Sequence, residues 1–248
     1  MILMAALQSS SMRVFPNSLI DEDFLRLYWQ KQPLLIRQAL PLPAGLVTRA
    51  RLFNLACGSD EVESRLVIEH GETPWEVHHG PFEPGELQQL PESHWTLLVQ
   101  DVNRHMPAIN AVLDAFKGMP RWRVDDIMIS YAVDQGSVGP HTDEYDVFLI
   151  QAAGSRRWKI QRRAVSDEDL IADLDIQVLN RFDAEEEWLL EPGDVLYLPP
   201  NVAHWGIAEG ECITWSLGFR GPDVAELCHH WLEERLAALP RQRYGDPD

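Results

Sequence analysis

Cysteine is scarce in this chain: Cys57, Cys212 and Cys228 are the only three, and no two form a Cys-x-x-Cys pair. That argues against a disulfide scaffold or a cysteine-ligated structural zinc, and suits a reducing compartment. No apolar run approaches the roughly 20 residues that span a bilayer. The apolar start, residues 1–7, lacks the basic flank of a signal peptide. The reading is a soluble cytoplasmic protein with no membrane partner. Positive charge is also short, 21 Lys and Arg against 39 Asp and Glu for a formal net charge of −18. Without a basic excess to neutralise phosphates, direct nucleic-acid binding is not expected. The acidic surplus favours basic partners, a basic protein substrate among them, although it also serves solubility alone. Internal repeats and low-complexity segments are missing too. What remains is 248 residues with 45% hydrophobic content, enough for one large domain or two small ones with a substantial core.

What is present begins with His141-Thr142-Asp143 and, far downstream, His204. In an extended strand alternate side chains project from one face, so His141 and Asp143 can address one ion while Thr142 points away. The third ligand must come from a distant strand. Glu191-Pro192-Gly193-Asp194 reads as a turn and Val195-Leu196-Tyr197-Leu198 as a short buried strand. Pro199-Pro200-Asn201 reads as a stop that holds His204 at a rim. Two imidazoles and one carboxylate on one face of a metal match the facial triad of non-heme Fe(II) oxygenases, with coordination positions left open. A lone His-x-Asp triplet is often accidental; Gly139-Pro140 before it and the apolar Val147-Phe148-Leu149-Ile150 after it supply the turn-to-strand setting the geometry needs.

Along the chain, Asp21-Glu22-Asp23 caps a helix that Pro33 ends, and Leu34-Leu35-Ile36 reads as a strand. Further strands are expected at 65–68, 75–78 and 95–99, with a helix over 108–116. From Asp126 onward strands dominate, at 127–133, 146–152, 156–160, 188–190, 195–198 and 212–219. Many short strands with turn signals between them predict a mainly β protein with flanking helices, a double-sheet jelly roll of the kind that includes cupins. A closing helix over 223–239 carries Val224, Leu227, Cys228, Trp231, Leu232 and Leu236 as an amphipathic stripe, read as core or dimer contact. His229 and His230 beside it are read as surface or packing residues. Residues 1–13 read as a loose tail.

Strand parity then reads the pocket. If His141 and Asp143 face inward, so do Tyr145, Val147, Leu149 and Gln151. After a turn at Ala153-Gly154-Ser155, Arg156, Trp158 and Ile160 share one face, and Arg157, Lys159 and Gln161 the other. The apolar set must face the core, so Arg156 points inward and Arg157 outward. An inward arginine needs an anionic partner. A guanidinium grips a carboxylate in two-pronged fashion, so the partner is either an internal Asp or Glu or a small dicarboxylate that also chelates iron, 2-oxoglutarate. Tyr145 and Asp134 are candidates to stack on and pair with a substrate guanidinium. A cupin that binds metal or a small acid without oxidation, or a sugar-acid isomerase, remains an alternative on this scaffold.

Several runs together resemble the bacterial Jumonji-C-type (JmjC) ribosomal oxygenases. They are Asp125-Asp126-Ile127-Met128-Ile129-Ser130-Tyr131, Val138-Gly139-Pro140-His141-Thr142-Asp143-Glu144-Tyr145-Asp146-Val147-Phe148, Tyr28-Trp29-Gln30-Lys31-Gln32-Pro33-Leu34-Leu35-Ile36, His79-Gly80-Pro81-Phe82, Trp95-Thr96-Leu97-Leu98-Val99-Gln100, Gly193-Asp194-Val195-Leu196-Tyr197-Leu198-Pro199-Pro200 and Ser216-Leu217-Gly218-Phe219-Arg220. The resemblance covers nearly the whole chain from about Val14. It implies a double-stranded β-helix (cupin/JmjC) over 14–222, Fe(II) on His141, Asp143 and His204, 2-oxoglutarate held distally by Arg156, and molecular oxygen as oxidant. It implies hydroxylation of an arginine β carbon in large-subunit ribosomal protein L sixteen; related members hydroxylate histidines in other ribosomal proteins or demethylate lysine. Two departures stand out. Ala132 replaces a hydroxyl residue, which leaves Ser130 as the substitute second donor to the oxoglutarate. Residues 223–248 hold only the start of the family's helical dimerisation region, without its winged-helix-like domain, so a homodimer is expected of a full-length form.

Overall fold

The computed structural model describes residues 18–70, 73–172 and 174–239. The tail over 1–13 and the last residues of the 223–248 region, 240–248, lie outside them. The elements in chain order are α1 (Glu22–Leu27), β1 (Leu34–Ile36), α2 (Arg49–Gly58), β2 (Ser64–His70), β3 (Thr73–His79), α3 (Pro84–Gln88), β4 (Trp95–Val99), α4 (Val102–His105), two 3-10 segments (Pro107–Phe116 and Arg121–Arg123), β5 (Val124–Ala132), β6 (Asp146–Gln161), a 3-10 turn (Asp167–Asp169), β7 (Glu186–Leu190), β8 (Val195–Leu198), β9 (Ala203–Phe219) and α5 (Val224–Ala238). The strands make one antiparallel sheet in the order β1-β8-β6-β9-β5-β4-β2-β3, with β7 also on β6. This is a mostly β fold with flanking helices, as the sequence predicts.

Alternation along the strands explains both faces. On β6, Val147, Leu149, Trp158 and Ile160 join Leu190, Leu196 and Leu198 in an inner cluster. Phe148 and Ile150 point the other way, into a larger core with Phe24, Leu52, Leu87, Ile109 and Phe116 from the helical cover. A strand buried on both faces has no polar side, which is why Val147-Phe148-Leu149-Ile150 is uniformly apolar. The N-terminal helices thus cover the outer face of the sheet and leave the inner face for the site. Side-chain caps start two of them: Asp21 accepts from the Phe24 amide, and Thr48 from the Arg51 amide.

Several expectations are corrected. The expected turn at Ala153-Gly154-Ser155 is a bulge inside one long strand, where the β6–β9 register shifts and Gly154 takes φ +60°. A bulge bends a strand without ending its pairing; the separate strands 146–152 and 156–160 are therefore one, and 212–219 is the second half of β9. The helix over 108–116 is a 3-10 segment. Gln161, assigned outward, is buried, because its Oε1 accepts from the Asp183 amide at 2.7 Å. The stripe on α5 is not core: Val224, Leu227, Trp231, Leu232 and Leu236 are all exposed. His229 and His230 are exposed on the same helix, facing Glu233 at 3.3 Å and 3.7 Å. Among the described residues no helix is long and apolar enough to cross a membrane.

Candidate metal centre and its cavity

His141, Asp143 and His204 offer one ligand atom each, all within 4.8 Å of one another. The backbone makes that meeting obligatory. His141 and His204 form an isolated antiparallel bridge, each amide donating to the other's carbonyl at 3.0 Å and 2.9 Å. The His-x-Asp segment is thus a loop pinned to the start of β9 rather than a strand end, and His204, only 2% exposed, is interior rather than at a rim. Asp143 is reached by His141 Nε2 at 3.9 Å and by His204 Nε2 at 3.5 Å. Both Nδ1 atoms face carbonyls at 2.9 Å, that of Gly139 for His141 and that of Val202 for His204. Carbonyls only accept, so each imidazole carries its proton on Nδ1 and turns a bare Nε2 toward the cluster, the tautomer a metal ligand needs. Burial, then the neighbouring His141, push the His204 pKa down to about 4, which keeps that ring neutral.

A further layer fixes His141. Gly139, whose carbonyl receives the His141 proton, donates its amide to Ser137 Oγ at 3.0 Å, and the Trp205 indole donates to the same oxygen at 2.8 Å. Gly139 takes φ +82°, and a Cβ there would meet Val178 Cγ1 at 2.7 Å. The position needs glycine both for its backbone and for space.

Beside the cluster lies a cavity of about 370 Å³ lined by Arg156, Ser130, Trp158 and Tyr145 as well as the three ligands. Arg156 is 5% exposed, and among the described residues no carboxylate pairs with it; its Nε and Nη2 have no hydrogen-bond partner. The internal Asp or Glu considered from sequence is therefore not its partner. A buried guanidinium with two idle donors is costly unless an anion fills the space in front of it. The residues present fit an Fe(II) ion chelated at the His-Asp-His end by a dicarboxylate whose far end reaches Arg156. Ser130 is brought to that end, its Oγ 3.4 Å from Arg156 Nη1. Ala132, where a hydroxyl was expected, packs with Ala208 and Cys212.

The substrate side departs from the sequence reading. Tyr145 lines the cavity, but Asp134 is exposed and accepts from the Gly210 amide, within β9, at 2.8 Å. Asp134 does not line the cavity or the recess beside it. Sequence reasoning missed Asp126, which lines a recess of about 210 Å³ together with Asp101, Asp125 and Tyr145. The recess and the cavity share Gln100, Met128, Tyr145, Val147 and Ser216, so they adjoin. Burial raises the Asp126 pKa to about 6 against the lowering effect of the Asp101 amide. Strand parity could have found it: Asp126 sits two and four residues before Met128 and Ser130 on β5, the cavity face.

Residues 111–227 match the family model described as the JmjC domain. The chain is 39% identical over 227 residues to the ribosomal protein uL16 3-hydroxylase of Escherichia coli, covering 91% of this chain and 60% of that protein. It is also 39% identical over 216 residues to a probable ribosomal oxygenase of Haemophilus influenzae, covering 86% of this chain and 52% of the relative. A solved structure of Escherichia coli YcfD superposes with a TM-score of 0.82 at 37% identity, over 95% of this chain and 62% of that one. Another, of YcfD in complex with cobalt and 2-oxoglutarate, gives 0.79 over 94% and 61%. Residues 111–227 are thus similar to the JmjC domain, and the chain shares the fold of the YcfD structures. Its likeness is to the bacterial ribosomal oxygenases, and it spans between half and two thirds of the length of these relatives.

Proposed function

We propose that this protein is an Fe(II)- and 2-oxoglutarate-dependent protein hydroxylase acting on an arginine β carbon of ribosomal protein uL16. The observation that carries the reading is the joint presence, in one cavity, of the His141-Asp143-His204 cluster and the unpartnered guanidinium of Arg156. A cupin that merely stores a metal has no use for the second. The relatives named for uL16 hydroxylation and for ribosomal oxygenation support the substrate, and a cytoplasmic setting goes with it.

In this reading Fe(II) with 2-oxoglutarate and oxygen supplies the oxidation, converting the cosubstrate to succinate and carbon dioxide and placing one oxygen on the substrate carbon. The protein's own residues position and exclude. Arg156 orients the cosubstrate by its far carboxylate, and Ser130 accepts from Arg156 to hold the guanidinium in place. Leu149 and Val147 keep the floor apolar and dry. Asp126 takes the substrate guanidinium in the acidic recess while the Tyr145 ring lies along its alkyl stem and holds the β carbon toward the cluster. Tyr145 is set flat by Gly218, where a Cβ would come within 3.3 Å of its ring. The acidic surface, net −18, attracts a basic ribosomal protein and leaves nucleic acid aside. The catalytic domain is taken as 14–222, and the exposed stripe of α5 as a homodimer contact.

The test is succinate release with Fe(II), oxoglutarate, oxygen and a uL16 fragment. Wild-type protein should release succinate in step with hydroxylated peptide, and Asp143→Ala should release none. Full turnover by iron-restored Asp143→Ala would overturn the metal site, and equal turnover on a histidine-bearing ribosomal fragment would overturn the substrate.

A further inference from the structure

Trp158 reads from sequence as an inward-facing core residue, and most of it is. Its benzo edge rests on the backbone of β9 opposite Gly206, where a Cβ would meet Cη2 and Cζ3 at 2.7 Å. The other part of the indole is unexplained. Trp158 is 4% exposed, lines the cavity, and its Nε1–H has no hydrogen-bond partner. An idle indole donor is not by itself a sign of a ligand: Trp215 Nε1 is idle too, but Trp215 belongs to the main core and does not line the cavity. Trp158 stands between the two ends of the site. Its ring is 5.7 Å from that of His204 and 5.8 Å from the Arg156 guanidinium carbon.

Three buried donors on two residues that line the cavity therefore lack acceptors: Arg156 Nε, Arg156 Nη2 and Trp158 Nε1. Buried donors are almost always paired, so a set of three beside a cavity implies an occupant rich in acceptor oxygens. Ser130 does not supply the second neutral donor. Its hydroxyl proton is directed to the Thr214 carbonyl at 3.4 Å, and its oxygen accepts from Arg156. Ala132 has no hydroxyl to offer.

We propose that Trp158 is a cosubstrate-binding residue whose indole N–H donates to the carboxylate held by Arg156, taking the place of the missing hydroxyl. Gly206 is the matching concession: only glycine lets the ring lie close enough to β9 for that edge to face the cavity. This rests on the reading above that the cavity takes 2-oxoglutarate.

The experiment uses the full chain loaded with Zn(II), which is diamagnetic and does not turn over. 2-Oxoglutarate is titrated by calorimetry, and the indole 15N–1H signals are followed in parallel, with Trp158→Phe assigning its own signal by loss. The Trp158 signal should move downfield as the site saturates. Trp158→Phe, which keeps an aromatic ring against His204 and Gly206, should bind oxoglutarate about tenfold to a hundredfold more weakly, the range of one hydrogen bond to a charged acceptor. Its affinity for Zn(II) should not change. If that variant does not fold, benzothienylalanine at position 158 keeps the shape without the N–H and should show the same loss. Unchanged affinity in the variant with an unmoved wild-type signal overturns the role of Trp158 alone. Absence of oxoglutarate binding by the wild type instead overturns the functional reading and this inference with it.

Discussion

At the scale of single residues, the site is defined by which polar atoms have partners and which do not. Arg156 spends one nitrogen on Ser130 and leaves two idle, so its contribution belongs to a ligand rather than to the fold. Arg156→Met should lower oxoglutarate affinity by about 2–5 kcal/mol, the cost of breaking a buried charged pair, while leaving thermal stability equal or higher, because an unpaired charge has been replaced by an apolar side chain. Calorimetry and a melting curve on the same preparation check both halves. Asp126 gives a pH-dependent counterpart. Its folded pKa of about 6 lies above the usual value, so its charge, and with it the grip on a guanidinium, is lost as pH falls through 6. KM for the uL16 fragment should rise below that pH, and Asp126→Asn should raise it at every pH with KM for oxoglutarate unchanged. The stability effect has the opposite sign. Folding disfavours the charged carboxylate, so the wild type loses stability as pH rises from about 3.8 through 6. Asp126→Asn should therefore melt higher than wild type at pH 8 and at nearly the same temperature at pH 3.5.

At the scale of elements, the ligands are held by the pairing of a loop with a strand. The chain from Trp205 through Ser137 and Gly139 to the His141 ring is a positioning device, with Ser137 Oγ accepting from both the Trp205 indole and the Gly139 amide. Gly139→Ala forces a Cβ against Val178 at a positive φ and should weaken metal binding through His141 as well as stability, by about 1–3 kcal/mol for the strained backbone; metal titration monitored with His204 intact tests it. These same elements show what the sequence made legible. The period of two placed Arg156, Trp158 and Leu149 on the inner face, because that face is apolar and its partner face carries Arg157 and Lys159. It did not place the β6 bulge, since Ala-Gly-Ser reads identically as a turn and as a bulge and only the β9 partner distinguishes them. Asp134 and Asp126 look alike in sequence, both acidic at the ends of one strand. Parity places both with Met128 and Ser130 on one face, and the recess that Asp126 shares with Tyr145 is what separates the two. The helices α2, α3 and α4 were not predicted, being short and held by the outer core rather than by a strong apolar period of their own.

At the scale of the molecule, a sheet with two buried faces divides labour, the N-terminal helices sealing one side so that the other can carry a polar, ligand-shaped interior. The whole chain adds a long-range term, since a net charge of −18 would attract the basic protein proposed as substrate. Association with uL16 should slow steeply with rising salt while turnover of the bound complex does not, the signature of electrostatic steering; stopped-flow binding across a salt series reads it directly. The most direct test of the whole account is the intact mass of uL16 after incubation with this protein, Fe(II), oxoglutarate and oxygen. The account predicts a gain of one oxygen located on an arginine and absent with Arg156→Met or Asp143→Ala. An unchanged mass with fully metal-loaded protein, or an oxygen gained equally with Asp143→Ala, would contradict it.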